Sequence, residues 1–208
     1  MRSFVLLCLF VLLLATYTLP WVINPGAGLS FGGYDLAEWV SVHPVSGGES
    51  PPLLTALLLR LPLVCATLAF VFFLTPNWNN RIVGGIAILL MAAALLPPFE
   101  FLNDSGNWNY RQQLALAFVT LTGGAFALTG WMRKYRTIAG TVIAVIGIVA
   151  CLMGLSRAMT LMQGFNLPTQ IGVGGVGTAF LLLVLILLQL QIGRRITTRH
   201  PIQLAKAN

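Results

Sequence analysis

Residues 53–74 read LLTALLLRLPLVCATLAFVFFL, an apolar run broken by a single charge at Arg60. A helix needs roughly 20 such residues to cross the ~30 Å hydrocarbon layer of a bilayer. A segment in lipid must also satisfy its own backbone N–H and C=O groups, so this run is expected to be helical. Similar blocks lie on either side of it, at residues 4–22, 82–96, 114–132, 137–155 and 172–192. Turn-forming clusters separate them: Asn24-Pro25-Gly26, Thr75-Pro76-Asn77, Pro97-Pro98 and Asn166-Leu167-Pro168. The pattern predicts an all-α integral membrane protein, one domain over residues 1–208, built as a bundle of six transmembrane helices. The block at 82–96 is the shortest, and residues 99–102 extend it in apolar character beyond the two prolines.

Composition points the same way. Of the 208 residues, 57% are hydrophobic and 8% charged, with a mean hydropathy of +0.86, whereas about a quarter of a soluble domain is charged. A water-soluble globular domain is thereby excluded. The N-terminus imitates a secretory signal, with Arg2 ahead of the apolar residues 4–14. Ala15-Thr16-Tyr17 is a poor cleavage site and the apolar run continues to Val22, so the segment is expected to stay as the first span.

The net charge of +7 would suggest nucleic acid in a soluble protein. Here the basic residues cluster beside the ends of apolar blocks and are not interleaved with aromatics, so no nucleic-acid partner is expected. With the N-terminus inside, the cytoplasmic side receives Arg2, Arg81, Arg133, Lys134, Arg136, Arg194, Arg195, Arg199 and Lys206. The outer side receives all five acids, Asp35, Glu38, Glu49, Glu100 and Asp104, with only Arg60, Arg111 and Arg157. This asymmetry follows the positive-inside rule and puts both termini in the cytoplasm, residues 23–52 outside, and residues 193–208 in a basic cytoplasmic tail. A bacterial inner membrane is the expected setting.

Intramembrane charge is the best pointer to function in such a chain, because a charge at the bilayer centre is costly. Only Arg60 qualifies. It lies about 10 Å along its helix from Leu53, and helical side chains lean toward their own N-terminus, here the outer surface. Pro62 also frees the carbonyl of Leu58. Two readings stay open: an outer-edge anchor pairing with Glu49, Glu100 or another external acid, and a contact for an anion or lipid headgroup. No span carries Asp or Glu, which argues against a self-contained proton pump. The histidines, His43 and His200, lie outside the spans, so haem ligation within the bundle has no ligand to use. His43 is expected as a solvated loop residue, with contact to a pigment or quinone as the alternative. Ser156 has no histidine base on another span, and HExxH and zinc clusters are missing, so no catalytic or metal residues are assigned. Cys8, Cys65 and Cys151 form neither a CxxC pair nor a disulfide framework and are expected to be small buried packing residues. The glycines from Gly172 to Gly177 lack the strand that precedes a phosphate-binding loop, and read as packing at the head of span six.

Packing is the most specific signal. Gly140, Ala144, Gly147, Cys151, Gly154 and Ala158 recur at spacings of four and three, a continuous stripe of small side chains. Such a stripe admits another backbone at close range. Span four carries a shorter one, Ala117, Thr120, Gly124 and Ala127, and only Arg133-Lys134-Tyr135-Arg136 joins the two spans. A tight antiparallel hairpin through those faces is expected. In the long first loop, residues 34–43 form an amphipathic helix that sets Leu36, Trp39 and Val40 toward the membrane and Asp35, Glu38 and Ser41 toward water. Tyr34, Asp35, Glu38, Trp39 and His43 are then candidates for docking a partner, the alternative being a plain cap lying on the membrane.

Two functions remain. The first is a non-catalytic subunit or scaffold of a larger membrane complex, with other membrane subunits as partners beside the lipid bilayer. It would have no cofactor of its own, any bound lipid, pigment or quinone being supplied mainly by its neighbours. The second is a small transporter, channel or lipid-handling protein that uses Arg60. No inverted repeat relates the two halves, which weighs against a transporter.

Overall fold

The computed structural model describes residues 2–26, 28–75, 77–97, 106–131, 134–164 and 168–204, with residue 2 and residues 192–204 described as backbone alone. These form α1 (Arg2–Thr18), β1 (Val22–Asn24), β2 (Leu29–Phe31), α2 (Gly33–Ser41), α3 (Pro44–Gly47), α4 (Leu54–Phe73), α5 (Trp78–Leu95), α6 (Trp108–Thr129), α7 (Arg136–Gln163), β3 (Gln170–Ile171) and α8 (Val173–Leu204). Five helices, α4 to α8, are long and apolar enough to cross a membrane. The first expected span, 4–22, is shorter than predicted: its apolar helix ends at Thr18. The chain then turns at Pro20 and enters a small antiparallel sheet of order β2-β1-β3, a feature the all-α expectation did not include.

α4 is the central post. Apart from Arg60 and the two threonines Thr55 and Thr67 its side chains are apolar on every face, and a helix so nearly apolar all round belongs in the interior. α1, α2, α5, α6, α7 and α8 all pack against it. The other four long helices each turn a row of large apolar side chains outward, among them Ile82, Ile86 and Leu89 of α5, Phe118 of α6, Val142 and Val149 of α7, and Phe180 and Leu187 of α8. That is the arrangement expected of a bundle solvated by lipid. Exposed tryptophans mark its two ends: Trp78 and Trp131 at one, Trp108 at the other. From Trp108 to Trp131 the rise of ~1.5 Å per residue gives roughly 35 Å, the hydrocarbon layer plus part of its interfaces, where tryptophan is favoured.

The small-residue stripe of α7 is turned to a different partner from the one expected. Spans four and five do not form a tight hairpin; α7 docks along α4, while α6 docks on α5 and α4. A β-carbon on Gly140 would sit 2.5 Å from Phe73 Cε1, on Gly147 2.8 Å from Cys65 Cβ, and on Gly154 3.0 Å from the backbone carbon of Leu58. Going up α7 by seven residues thus goes down α4 by seven or eight, an antiparallel register kept from end to end. Ala144, Cys151 and Ala158 of the same stripe are fully buried, and Cys151 Sγ donates to Gly175 O at 3.1 Å. On α6, Gly124 would drive a β-carbon to 2.5 Å from Ile88 Cδ1, so this smaller stripe serves the α5–α6 contact. The four-residue link between spans four and five brought their ends together, but the deepest apolar surface belonged to α4, and both stripes lie where it and α5 can be approached. Of the cysteines, Cys65 and Cys151 are buried as expected, but Cys8 is exposed, because it lies on the outward face of α1.

The glycines at the head of α8 have a related use. A side chain on Gly172 or Gly174 would collide with the carbonyl oxygens of Pro20 and Leu19. Their backbone N–H groups donate to Trp21 O and Pro20 O, each at 2.8 Å, which joins the chain after α1 to the start of α8. At the opposite end, Arg136 donates from Nε to Phe72 O (3.2 Å) and from Nη2 to Val71 O (3.1 Å) and Leu74 O, so a cation closes the C-terminal carbonyls of α4.

Candidate functional site

The site lies where α2, the start of α6 and the upper part of α4 meet. Pro62 has no N–H, so the Leu58 carbonyl loses its partner within α4. Nearby, Tyr17 of α1 donates its hydroxyl to Leu59 O at 3.0 Å. Arg60 stands in this segment, fully buried. α2 is placed over it by its apolar positions Leu36, Ala37 and Val40, spaced three and four apart and all fully buried. The expectation that Leu36 and Val40 face the membrane is therefore corrected: they face the bundle, because α4 and α1 offer them a protein surface. Close approach is possible because residue 33 is glycine, where a β-carbon would lie 2.9 Å from the rings of Trp21 and Tyr17.

Glu38, on the neighbouring face of α2, then reaches Arg60. Arg60 Nη2 donates to Glu38 Oε1 at 2.7 Å, while Nη1 donates to Asn109 Oδ1 at 2.7 Å and Gln112 Oε1 at 3.0 Å. Gln113 Nε2 donates to Glu38 Oε1 at 2.7 Å, Asn109 Nδ2 to Glu38 Oε2 at 3.5 Å, and Gln112 Nε2 to Leu53 O at 3.2 Å. Three amides from one face of α6 thus surround an ion pair between α2 and α4. A charge buried in apolar surroundings needs both a counter-charge and hydrogen bonds, and here it has both.

Asn109, Gln112 and Gln113 went unrecognised in the sequence, because span four was expected to begin at Leu114. The helix begins at Trp108 instead, capped by Asn107, whose Oδ1 accepts from Asn109 N at 2.9 Å. The available signal was the spacing 109, 112, 113, which sets three amides on one helical face.

Of the expected acid partners for Arg60, Glu100 lies outside the described residues, as do Asp104 and Arg133. Glu49 pairs elsewhere: its Oε1 accepts from Arg157 Nη2 of α7 at 2.9 Å and from the Thr55 hydroxyl, and its Oε2 from Thr55 N at 2.9 Å. Burial pushes the Glu49 pKa up, but the hydrogen bonds from Thr55 and Arg157 outweigh it and hold the group below the usual 4.5. A depressed folded-state pKa stabilises the fold above the unfolded value. The Glu49 contribution should therefore be complete above about pH 4.5 and fade as pH falls through the lower folded value. Thermal unfolding in detergent between pH 6 and pH 3 checks this: Glu49→Gln should flatten the acid limb of the stability curve relative to the parent.

The proposed docking set is divided by the structure. Tyr34 and Glu38 line a cleft, Asp35 is exposed, and Trp39 lies against Phe31 and His43 at ring distances of 6.1 and 5.7 Å. His43 is not a solvated loop residue; it is buried and caps α3, its Nδ1 accepting from Val45 N at 3.1 Å. The cleft, about 640 Å³, lies between α2 and the first turns of α6 and is lined by Tyr34, Glu38, Ser41, Val42, Asn107, Asn109, Tyr110 and Gln113. Burial, then the adjacent Glu38 carboxylate, pushes the Tyr34 phenol above its ordinary value, so it stays protonated near neutral pH. Among the described residues no three His, Cys, Asp or Glu side chains gather as a metal site would require. Compared with protein-family models, curated proteins and solved structures, the chain matches none.

Proposed function

We propose that this chain is a non-catalytic membrane subunit or scaffold, crossing a bacterial inner membrane six times with both termini and the link before α7 on the cytoplasmic side. The observation that carries this reading is how Arg60 is used. Three of its five N–H groups go to Glu38, Asn109 and Gln112, the Nε–H is buried without a partner among the described residues, and the side chain is fully buried and does not line the cleft. The charge in the apolar heart of the chain therefore works as a latch holding α2 and α6 to α4. The rival reading, a transporter, channel or lipid-handling protein with Arg60 as an anion or headgroup contact, would need a donor left facing a cavity. The outward apolar rows of α5 to α8 suit neighbouring subunits as well as lipid. A largely apolar groove of about 420 Å³ beside Leu152, Leu155, Met159 and Val176 suits an acyl chain, pigment or quinone held between this chain and a neighbour.

Native membranes solubilised in mild detergent should yield the chain in an assembly of fixed composition, and the isolated chain in liposomes should show no proton-coupled flux. Recovery as a lone monomer with solute flux would favour the transporter. Orientation is checked by cysteine labelling in a Cys8→Ala background: Gly47→Cys, exposed with open space around it, should react only from outside, and Lys134→Cys only from the cytoplasm. The reverse pattern would overturn the topology.

A further inference from the structure

The groove between α7 and α8 is longer than the part beside Leu152 and Val176. A second hollow, about 510 Å³, shares Ile171 and Val176 with the first and runs past Val173, Gly177 and Phe180 along the outward face of α8. The walls change character along its length. Ser156, Thr160 and Gln163, spaced four and three apart, set a polar row on one face of α7, bordered by the apolar Leu152, Leu155 and Met159. Thr160 donates its hydroxyl to Ser156 O at 3.1 Å, whereas the Ser156 hydroxyl and the Gln163 amide are exposed and bond to no other described residue. Arg157, a neighbour of Thr160 one turn along, gives Nε to Thr55 and Nη2 to Glu49 and is partly exposed, with Nη1 still to donate. Depth decides what such a groove meets. Arg157 reaches Thr55 in the first turn of α4, and Gln112 of α6 reaches Leu53 just before it, so the polar row lies level with the exposed Trp108, where headgroups begin. Leu152 lies ~12 Å below Thr160, in hydrocarbon.

We propose that this groove holds one glycerophospholipid, its phosphate and ester oxygens along the row from Ser156 to Gln163 beside Arg157, and an acyl chain laid across Val176 into the trough over Gly177. The donors left in the polar row suit oxygens that only accept, and the guanidinium suits a phosphate. A wholly apolar ligand would leave that row unused, and a soluble anion would leave the trough unused. Glu49 already neutralises much of the Arg157 charge, so the match is to the phosphate that all such lipids carry and not to one headgroup. The inference narrows the acyl chain, pigment or quinone of the scaffold reading to one class, and it rests on that reading only in placing the bundle in lipid.

The full chain, purified from native membranes in mild detergent, should carry one phosphorus-bearing lipid per copy in native mass spectrometry. After delipidation, short-chain phosphatidylglycerol and phosphatidylethanolamine should each raise Tm saturably by a few degrees. Diacylglycerol of the same chain length, which lacks the phosphate, should need at least about tenfold more. Val176→Trp puts an indole where the two hollows join, at a half-exposed position that the fold should tolerate, and should remove both the retained lipid and the Tm response. Leu187→Trp, equally exposed further along α8 and outside both hollows, should change neither and so separates this site from lipid that merely surrounds the bundle. No retained lipid and no saturable response, a response undiminished in Val176→Trp or equally lost in Leu187→Trp, equal potency of diacylglycerol, or tighter binding of a short-chain quinone would overturn the proposal. Recovery of the chain in an assembly is read separately, so the lipid site can fail while the scaffold reading stands.

Discussion

Glu38→Gln should destabilise the protein by about 3–5 kcal/mol, the usual cost of leaving one member of a buried ion pair without its partner. The loss is large because Arg60 is fully buried and cannot turn to water, while the amides around it supply acceptors but no negative charge. Arg60→Met should cost less, because Glu38 is partly exposed and can hydrate once its partner is gone. The double variant should recover part of the loss, since removing both charges together leaves no unpaired ion. Unfolding of all four proteins in one detergent checks the order. A double-variant loss equal to the sum of the two single losses would show that the carboxylate and the guanidinium are not coupled in the way the geometry implies.

Gly154→Leu should prevent α7 from seating on α4, with a loss on the order of 3 kcal/mol or more. Overpacking costs of 1–3 kcal/mol are typical where side chains can move aside. Here the added carbon would meet Leu58 C at 3.0 Å, Leu58 O at 3.1 Å and Leu59 N at 3.1 Å, all backbone atoms that have nowhere to go. The Leu58 carbonyl is the one released by Pro62, and the bare Cα of Gly154 is what lets α7 close over it. Gly147→Leu should cost no less, because its added carbon would lie 2.8 Å from Cys65 Cβ, an atom fixed to the α4 backbone, and 3.2 Å from Leu182 Cδ1. Gly85→Leu, where nothing lies within 4 Å, is the control and should be near neutral. Thermal stability in detergent checks all three. A Gly154→Leu protein as stable as the Gly85→Leu protein would show that the helices are not held at this distance.

The long apolar helices were legible in the sequence because lipid imposes one strong rule on spanning segments, and hydropathy reads that rule directly. The boundaries were less legible. α6 starts six residues earlier than its apolar run, since Asn109, Gln112 and Gln113 are polar side chains serving an interior partner, and α7 continues to Gln163 through Arg157, which finds Glu49. Composition cannot distinguish a polar residue facing water from one facing a buried arginine. The small-residue stripe could be read as a surface for close approach, but its partner could not. Spacing along one helix says which face is flat, whereas the partner depends on which other helix is nearly apolar on all sides, and Leu54–Phe73 met that condition. The acid that answers Arg60 was hidden for a similar reason. Glu38 and Glu49 are both external by the charge pattern, and only the fold of α2 onto α4 assigns one to Arg60 and the other to Arg157.

The closure of α1 onto α8 bears on how the protein is made. α1 is too short to count among the five helices able to cross a membrane, and its main packing partner, α8, lies far downstream in the chain. The contacts that hold the pair join residues far apart in the chain: Thr178 to Thr16 at 3.3 Å, Gly172 to Trp21, Gly174 to Pro20. At about 5–20 residues per second, synthesis of the intervening chain takes on the order of 10–30 s. During that interval α1 has only α2 and α4 of its eventual neighbours to pack against. The packing of α1 is therefore completed only by α8, and a nascent chain that stops short of residue 172 leaves α1, as well as its own unfinished end, open to surveillance.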